Sequence, residues 1–206
     1  MPLVALVGEV VAQLPFVDRA VVSTDHPEIA RVAKESGLDA PFMRPEELSG
    51  DMVSDWDVLH HALLATEKID KKQYDVIVML QPTCPLRKPE HVTETVKKLV
   101  EGGYDSVWTV SETDSKYHPL KQLIFESGRL DYYDERAAQI IARQQLTPVY
   151  HRNGAAYAMT RQCLLEQKTK KGKKTSAVII EGPMISMDTL FDFELVEWIM
   201  KRNFNK

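Results

Sequence analysis

Seven short stretches of this 206-residue chain carry side chains that could do chemistry. In "VMLQPTCPLR" (78–87) an apolar run passes into two prolines, with Gln81, Thr83 and Arg87 around them. Proline fixes φ and has no N–H to donate, so Pro82 and Pro85 end a strand and stiffen the turn after it. A stiff polar turn at a strand's carboxyl end is where open α/β sheets receive ligands, although an ordinary strand-to-helix connection would use the same residues. In "RPEELSGD" (44–51) Arg44 precedes a proline and is held extended. That suits recognition of a phosphate or a base, and equally describes a surface arginine.

Lys121 in "HPLK" and Arg143 in "ARQQL" could clamp an acidic group, because a carboxylate in a partly dry site needs charge-assisted partners. Two solvated surface charges are the simpler alternative. "HRNGAAY" (151–157) contains Asn-Gly, a turn signal, and leads into a strand, which predicts Asn153 and Tyr157 at a rim. In "ISMDTLFD" (185–192) Asp188 follows an apolar run and precedes a threonine. One carboxylate with waters and substrate phosphates would suit Mg²⁺; the same residue could instead cap the last helix. "STD" (23–25) ends a β-branched run, and Asp25 could likewise cap the helix after it. Cys84 as a nucleophile would need an activating base that no neighbouring residue supplies.

The elements that must hold these residues follow from periodicity. Leu3, Leu6, Val7, Val10, Val11 and Leu14 recur at helical spacing. "RAVVSTD" (19–25) reads as extended, and "HPEIARVAKES" as a helix with proline in its first turn and Gly37 as its stop. Ser54 or Asp55 can cap a helix running to about Thr66. "YDVIVMLQ" (74–81) predicts a strand covered on both faces, "KPEHVTETVKKLVEGG" a helix with a glycine stop, and "YDSVWTV" (104–110) a second strand. Residues 111–152 break this rhythm as an inserted arm, after which "AAYAM" and "SAVII" return to the sheet and "FDFELVEWIMKR" closes the chain as a helix. Strands alternating with helices predict one three-layer α/β domain over 1–206 with a mostly parallel sheet.

Composition narrows the class. Apolar residues at 44% and charged residues at 27% describe a globular chain rather than a disordered one. A net charge of −4 recommends neither nucleic acid nor an anionic membrane as a partner, and "KTKKGKKT" (168–175) reads as a solvated loop. Cys84 and Cys163 offer no disulfide framework or metal-ligand spacing, which fits a reducing, cytoplasmic compartment. No signal peptide or membrane-spanning run is present in the sequence, so the expectation is a soluble protein.

Read in order, "FVDRAVVSTDHPEIARVAKESG", "RPEELSGD", "VMLQPTCPLR", "HPLK", "RQQL", "RNGAAY" and "SMDT" resemble the motif series of the acylneuraminate cytidylyltransferases. These are the CMP-sialic acid synthetases and their relatives acting on legionaminic and other nine-carbon acidic sugars. The resemblance spans nearly the whole chain. It implies a Rossmann-like nucleotidyltransferase fold, a homodimer whose arm (111–152) reaches the partner's active site, and transfer of CMP from CTP to a 2-keto sugar acid with release of pyrophosphate. It further implies that Arg44 and Ser54 contact the nucleotide and that Gln81 meets the sugar near its anomeric hydroxyl. Lys121 and Arg143 would hold the acidic sugar, Asn153 and Tyr157 would line the same pocket, and Asp188 would bind Mg²⁺. Gln81, Lys121 and Arg143 are the implied catalytic set.

The sequence departs from that pattern in three places. The family usually opens with a strand and a loop of the kind "ARGGSKG" that cradles the triphosphate, and this sequence begins after it, as though N-terminally truncated. Ser186 stands where many relatives carry a second acid two residues before the metal aspartate, and Cys84 replaces the usual serine of the double-proline turn. The alternative expectation is therefore a catalytically impaired relative serving as a nucleotide- or sugar-binding or dimerising module.

Overall fold

Residue alternation along one strand divides the molecule into layers. In the computed structural model, which describes residues 1–203, Tyr157 and Met159 pack on one side of the sheet with Leu63, Cys163 and Leu164. Ala156 and Ala158 face the other side, against Val92 and Leu99 respectively. The period-2 geometry of a strand sends successive side chains to opposite faces, so both faces must be covered.

The elements in chain order are α1 (Leu3–Val11), α2 (Pro27–Glu35), α3 (Asp55–Asp70), β1 (Val76–Met79), α4 (Pro89–Gly102) and β2 (Ser106–Glu112). They continue with β3 (Leu123–Glu126), β4 (Arg129–Tyr132), β5 (Tyr150–Thr160), α5 (Arg161–Leu165), β6 (Thr175–Ile179) and α6 (Leu190–Asn203). The main sheet has the order β1-β5-β2-β6. β5 runs antiparallel to both its neighbours and β6 lies parallel to β2, so three strands share one direction and β5 alone opposes them. The sheet is thus mixed. α3 and α5 cover one face, while α4 and α1 cover the other, which is the three-layer arrangement expected.

Helix boundaries follow local chemistry. Ser54 accepts the Asp57 N–H and starts α3. Pro89 occupies the first turn of α4, and Gly103, at φ 54°, ends it. Gly37, at φ 77°, ends the turn after α2. Two strand expectations change. Every residue of β1 is only half-buried rather than enclosed on both faces. The 19–25 stretch is extended but makes a single parallel bridge, Val21 to Asp39.

The segment that leaves the sheet between β2 and β5 is 113–149, slightly shorter than 111–152 because both flanking strands continue into it. It contains short 3-10 turns and the β3–β4 hairpin, whose register pairs Glu126 with Arg129 across Ser127 and Gly128. Both turn residues have positive φ, which matches the right-handed twist of a two-residue hairpin. All eight hairpin residues are exposed.

Candidate active site

The centre of the site is a break in the β2–β5 ladder. Trp108 pairs with Tyr157 and Val110 with Arg152, so Thr109 alone faces the four residues Asn153 to Ala156. Such a bulge strips backbone groups of their ladder partners, and buried polar groups must then find others. Thr109 Oγ1 donates to Asn153 Oδ1 (2.7 Å) and accepts the Ala156 N–H (2.9 Å). Asn153 Nδ2 donates to Ser111 Oγ (3.0 Å), and the Gly154 N–H donates to the Tyr157 hydroxyl (3.0 Å).

Arg87 takes the carbonyls. Its guanidinium donates to Ala155 O, to Gly154 O (3.0 Å) and to Gln81 O. It is 6% exposed and has no ion-pair partner among the described residues. Burial pushes its pKa down to about 10, still well above neutrality, so the side chain remains charged and its field falls on backbone oxygens. Arg87 is therefore not among the side chains this double-proline turn offers to a ligand. Arg87 instead fastens that turn to the bulge.

Gln81 sits directly over the bulge. Its N–H donates to Gly154 O (3.3 Å), and a Cβ placed on Gly154 would lie 2.6 Å from Gln81 Oε1. Gly154 also has φ +75°, so only glycine serves there without strain. Asn-Gly at 153–154 thus marks a bulge inside β5 rather than a turn before it. In consequence Asn153 (4% exposed) and Tyr157 (5% exposed) are buried beneath this surface, not placed on a rim. Burial also raises the Tyr157 hydroxyl pKa, keeping it neutral.

The Asp188 loop joins the same place. The Met187 N–H donates to Thr83 O (2.8 Å), while Met184 packs on the cluster of Cys84, Ala155 and Ile180. Asp188 does not cap α6. Thr189 and Asp192 do so reciprocally, with Asp192 Oδ2 accepting the Thr189 N–H (2.8 Å) and Thr189 Oγ1 accepting the Asp192 N–H (3.2 Å). The Asp188 carboxylate is exposed and has no hydrogen-bond or ion-pair partner among the described residues. No cluster of three or more His, Cys, Asp or Glu suited to a metal occurs among those residues either. A lone free carboxylate beside the Thr83 turn could serve Mg²⁺, which keeps several waters and uses one or two protein carboxylates with substrate phosphates. Cys84 is 1% exposed and burial raises its thiol pKa, the opposite of an activated nucleophile.

Arg44 and the "STD" stretch come together. The Arg44 N–H donates to Thr24 O (2.8 Å), its Nη2 pairs with Asp25 (3.2 Å) and its Nε donates to Ser49 Oγ (3.2 Å). Asp25 thus orients Arg44 instead of capping α2; the hydroxyl of Thr24 accepts the His26 N–H (3.1 Å). Nη1 of Arg44 has no partner among the described residues. Ser54 Oγ gives its proton to Asp57 (2.6 Å), leaving it only an acceptor role toward any ligand. Lys121 and Arg143 are both exposed within the 113–149 excursion and neither side chain has an ion-pair partner among the described residues.

Sequence reasoning missed Thr109, Ser111 and Asp192. The Thr-x-x-Asp spacing at 189–192 is a capping signal that could have identified the last of these.

With this geometry in view, a cytidylyltransferase family model matches residues 1–193. The chain belongs to the cytidylyltransferase family. It is 27% identical over 183 residues to the post-translational flagellin modification protein B of Campylobacter coli, covering 88% of this chain and 76% of that protein. It is 28% identical to the CMP-N,N'-diacetyllegionaminic acid synthase of Legionella pneumophila, over 98% of this chain and 86% of that one. Among solved structures, CMP:2-keto-3-deoxy-manno-octonic acid synthetase complexed with CTP superposes with a TM-score of 0.66 at 17% identity. The match covers 98% of this chain and 88% of that one. The fold is that of a CTP-using nucleotidyltransferase, and this cytidylyltransferase is an enzyme of the nucleotidyltransferase class. Among its described residues no helix is long and apolar enough to cross a membrane.

Proposed function

We propose that this cytidylyltransferase moves CMP from CTP to a nonulosonic, sialic-acid-like sugar acid and releases pyrophosphate. The observation that carries the reading is the junction of the Gln81 turn with the Asp188 loop through Met187 and Thr83. It joins the backbone of the Gln81 turn to that of the Asp188 loop, which supports reading the amide as orienting a sugar hydroxyl and the free carboxylate as holding a cation in one site. The Legionella relative's name, CMP-N,N'-diacetyllegionaminic acid synthase, supports the same substrate class.

In this reading the sugar's anomeric oxygen attacks the α-phosphorus, its proton leaves, and the bond to pyrophosphate breaks. Gln81 orients that hydroxyl, held in place by the bulge and by Arg87. Lys121 and Arg143 face the sugar carboxylate as charge-assisted donors. Arg44 offers Nη1 to the nucleotide, and Ser54 at most a lone pair. Asn153 and Tyr157 act from below, shaping the pocket floor rather than touching solvent. Asp188 would hold Mg²⁺, which when bound supplies charge to offset the triphosphate.

The active form is a homodimer in which the 113–149 arm reaches the partner. Its support is the apolar surface the arm leaves bare, including Phe125 (70% exposed), Tyr133 (69%) and Ile141 (93%). The test is CMP transfer from CTP to a panel of nonulosonic acids and neutral sugar phosphates, with and without Mg²⁺. Mg²⁺-dependent transfer confined to the acids is the expected result. Transfer to a neutral sugar phosphate would overturn the substrate assignment, and CTP binding without transfer to any acceptor would favour a binding module.

A further inference from the structure

His118 is 5% exposed at the base of the arm, and both its ring nitrogens are engaged. The Leu120 N–H points at Nδ1 (3.0 Å), and an N–H can only donate. Nδ1 must therefore be the acceptor, so the proton of the neutral ring sits on Nε2, which donates to the Thr147 carbonyl (3.1 Å). The His118 carbonyl in turn accepts the Lys121 N–H (2.8 Å), closing the short turn that carries Lys121.

Thr147 lies four residues beyond Arg143, past the 3-10 turn Arg143–Gln145. The arm therefore has two halves, one with Lys121 and one with Arg143. Among the described residues, the His118–Thr147 bond is the only hydrogen bond that joins 114–133 to 134–149. At the root the strands close separately, through the Thr113 N–H to Val149 O (2.9 Å) and the Thr113 hydroxyl to His151 Nδ1 (3.0 Å). Besides this bond the halves meet where the turn Glu135–Gln139, with Ala137 buried, packs against the Pro119–Lys121 turn and β4, while the exposed β3–β4 hairpin adds little packing of its own.

We propose that His118 is a positioning residue for recognition of the acidic sugar: its imidazole bridges the Lys121 turn to the segment after Arg143 and so sets the spacing of the two cations. This rests on the reading that Lys121 and Arg143 hold the sugar carboxylate. His118 itself touches no substrate. A displacement of about 1 Å in such a constellation can cost on the order of a hundredfold, so one bridging bond is enough to matter.

Two substitutions separate the bridge from local turn capping. His118→Asn keeps a short-range acceptor for the Leu120 N–H but is too short to reach Thr147. His118→Gln reaches toward Thr147 with an amide donor but gives up the acceptor geometry of Nδ1. Dissociation constants for N-acetylneuraminate and for CTP would be measured for the 206-residue chain and both variants, alongside Lys121→Ala and Arg143→Ala. Amide hydrogen exchange across 114–149 would be followed in parallel.

The expected result is a loss of N-acetylneuraminate affinity of about tenfold or more in His118→Asn, substantial recovery in His118→Gln, and unchanged CTP affinity in both. Exchange should speed up over 143–147 in His118→Asn and not in His118→Gln. Rescue by Asn but not by Gln would overturn the bridge and leave a local cap. Equal loss for both ligands, with faster exchange throughout the sheet, would also overturn it, as a fold defect. If the two alanine variants leave N-acetylneuraminate binding intact, the clamp itself fails. If they weaken it while both His118 variants bind like wild type, only the bridge fails.

Discussion

The Met187 N–H donates to the Thr83 carbonyl across 2.8 Å, joining the loop after β6 to the turn after β1. Those strands sit at opposite edges of the four-stranded sheet and point the same way. Their following loops can meet only across the strands between them, and the bulge in β5 lies under that meeting point. The bond therefore couples Gln81 to Asp188 through only Pro82, Thr83 and Met187.

Asp188 and Asp192 should behave differently. Asp188→Asn removes a free carboxylate and almost no volume, so thermal stability should hold while Mg²⁺-dependent CTP binding weakens. Asp192→Asn weakens the reciprocal cap on α6 and should lower thermal stability. Calorimetry with and without Mg²⁺ reads both. Unchanged Mg²⁺ dependence in Asp188→Asn would remove the metal assignment.

Arg87→Met keeps most of the side-chain length but leaves the carbonyls of Ala155, Gly154 and Gln81 without their donor. Buried acceptors without partners typically cost about 1–3 kcal/mol each, partly offset here because the cation no longer has to be desolvated. The expected net loss is about 3 kcal/mol in urea unfolding. A wild-type midpoint would mean that water replaces the guanidinium freely, and that the turn is not fastened as argued.

The layered fold was legible because it depends on local signals. Ser54, Pro89, Gly103 and the β-branched and aromatic run Val107 to Val110 of β2 declare themselves within a few positions. The strand order was not, and neither was the reversed direction of β5, since pairing depends on contacts far apart in sequence. The candidate site was half legible. Gln81, Arg44 and Asp188 lie where their neighbours suggested, on turns and loops beyond the strands. Arg87, Asn153 and Tyr157 were misplaced for one reason: a bulge consumes polar side chains that otherwise look available for ligands. Asn-Gly permits a positive φ in either setting, and only the opposing Thr109 decides between a turn and a bulge.

A pH dependence of stability should come from Glu67. Its carboxylate takes two bonds from Arg161 (2.8 and 3.1 Å) and one from the Tyr74 N–H (3.1 Å), tying α3 to the start of α5. The Arg161 hydrogen bond is the main reason its pKa is held below the ordinary 4.5. Because the folded value is depressed, the stabilisation is present above about 4.5 and is lost as pH falls through the folded pKa. Glu67→Gln should therefore be less stable than wild type at pH 7, with the difference shrinking toward pH 3. A difference that stays constant over that range would assign the effect to packing instead of charge.

Lys121 and Arg143 carry the substrate prediction. If each faces the sugar carboxylate, Lys121→Ala or Arg143→Ala should weaken the acidic sugar by about 1.5–3 kcal/mol while CTP binding holds. The two losses should also be less than additive, since both cations address one carboxylate and removing either frees the other to move. Equal losses for sugar and nucleotide would dissolve the clamp. The arm adds a further requirement. If it reaches a partner's site, a Lys121→Ala chain can lend an intact Asp188 site to a partner that lends an intact arm. Chains carrying Lys121→Ala mixed with chains carrying Asp188→Asn should then form one complete site per mixed dimer and regain part of the lost transfer. Two impaired proteins that stay impaired on mixing, although size analysis shows that they exchange subunits, would mean that each arm serves its own chain.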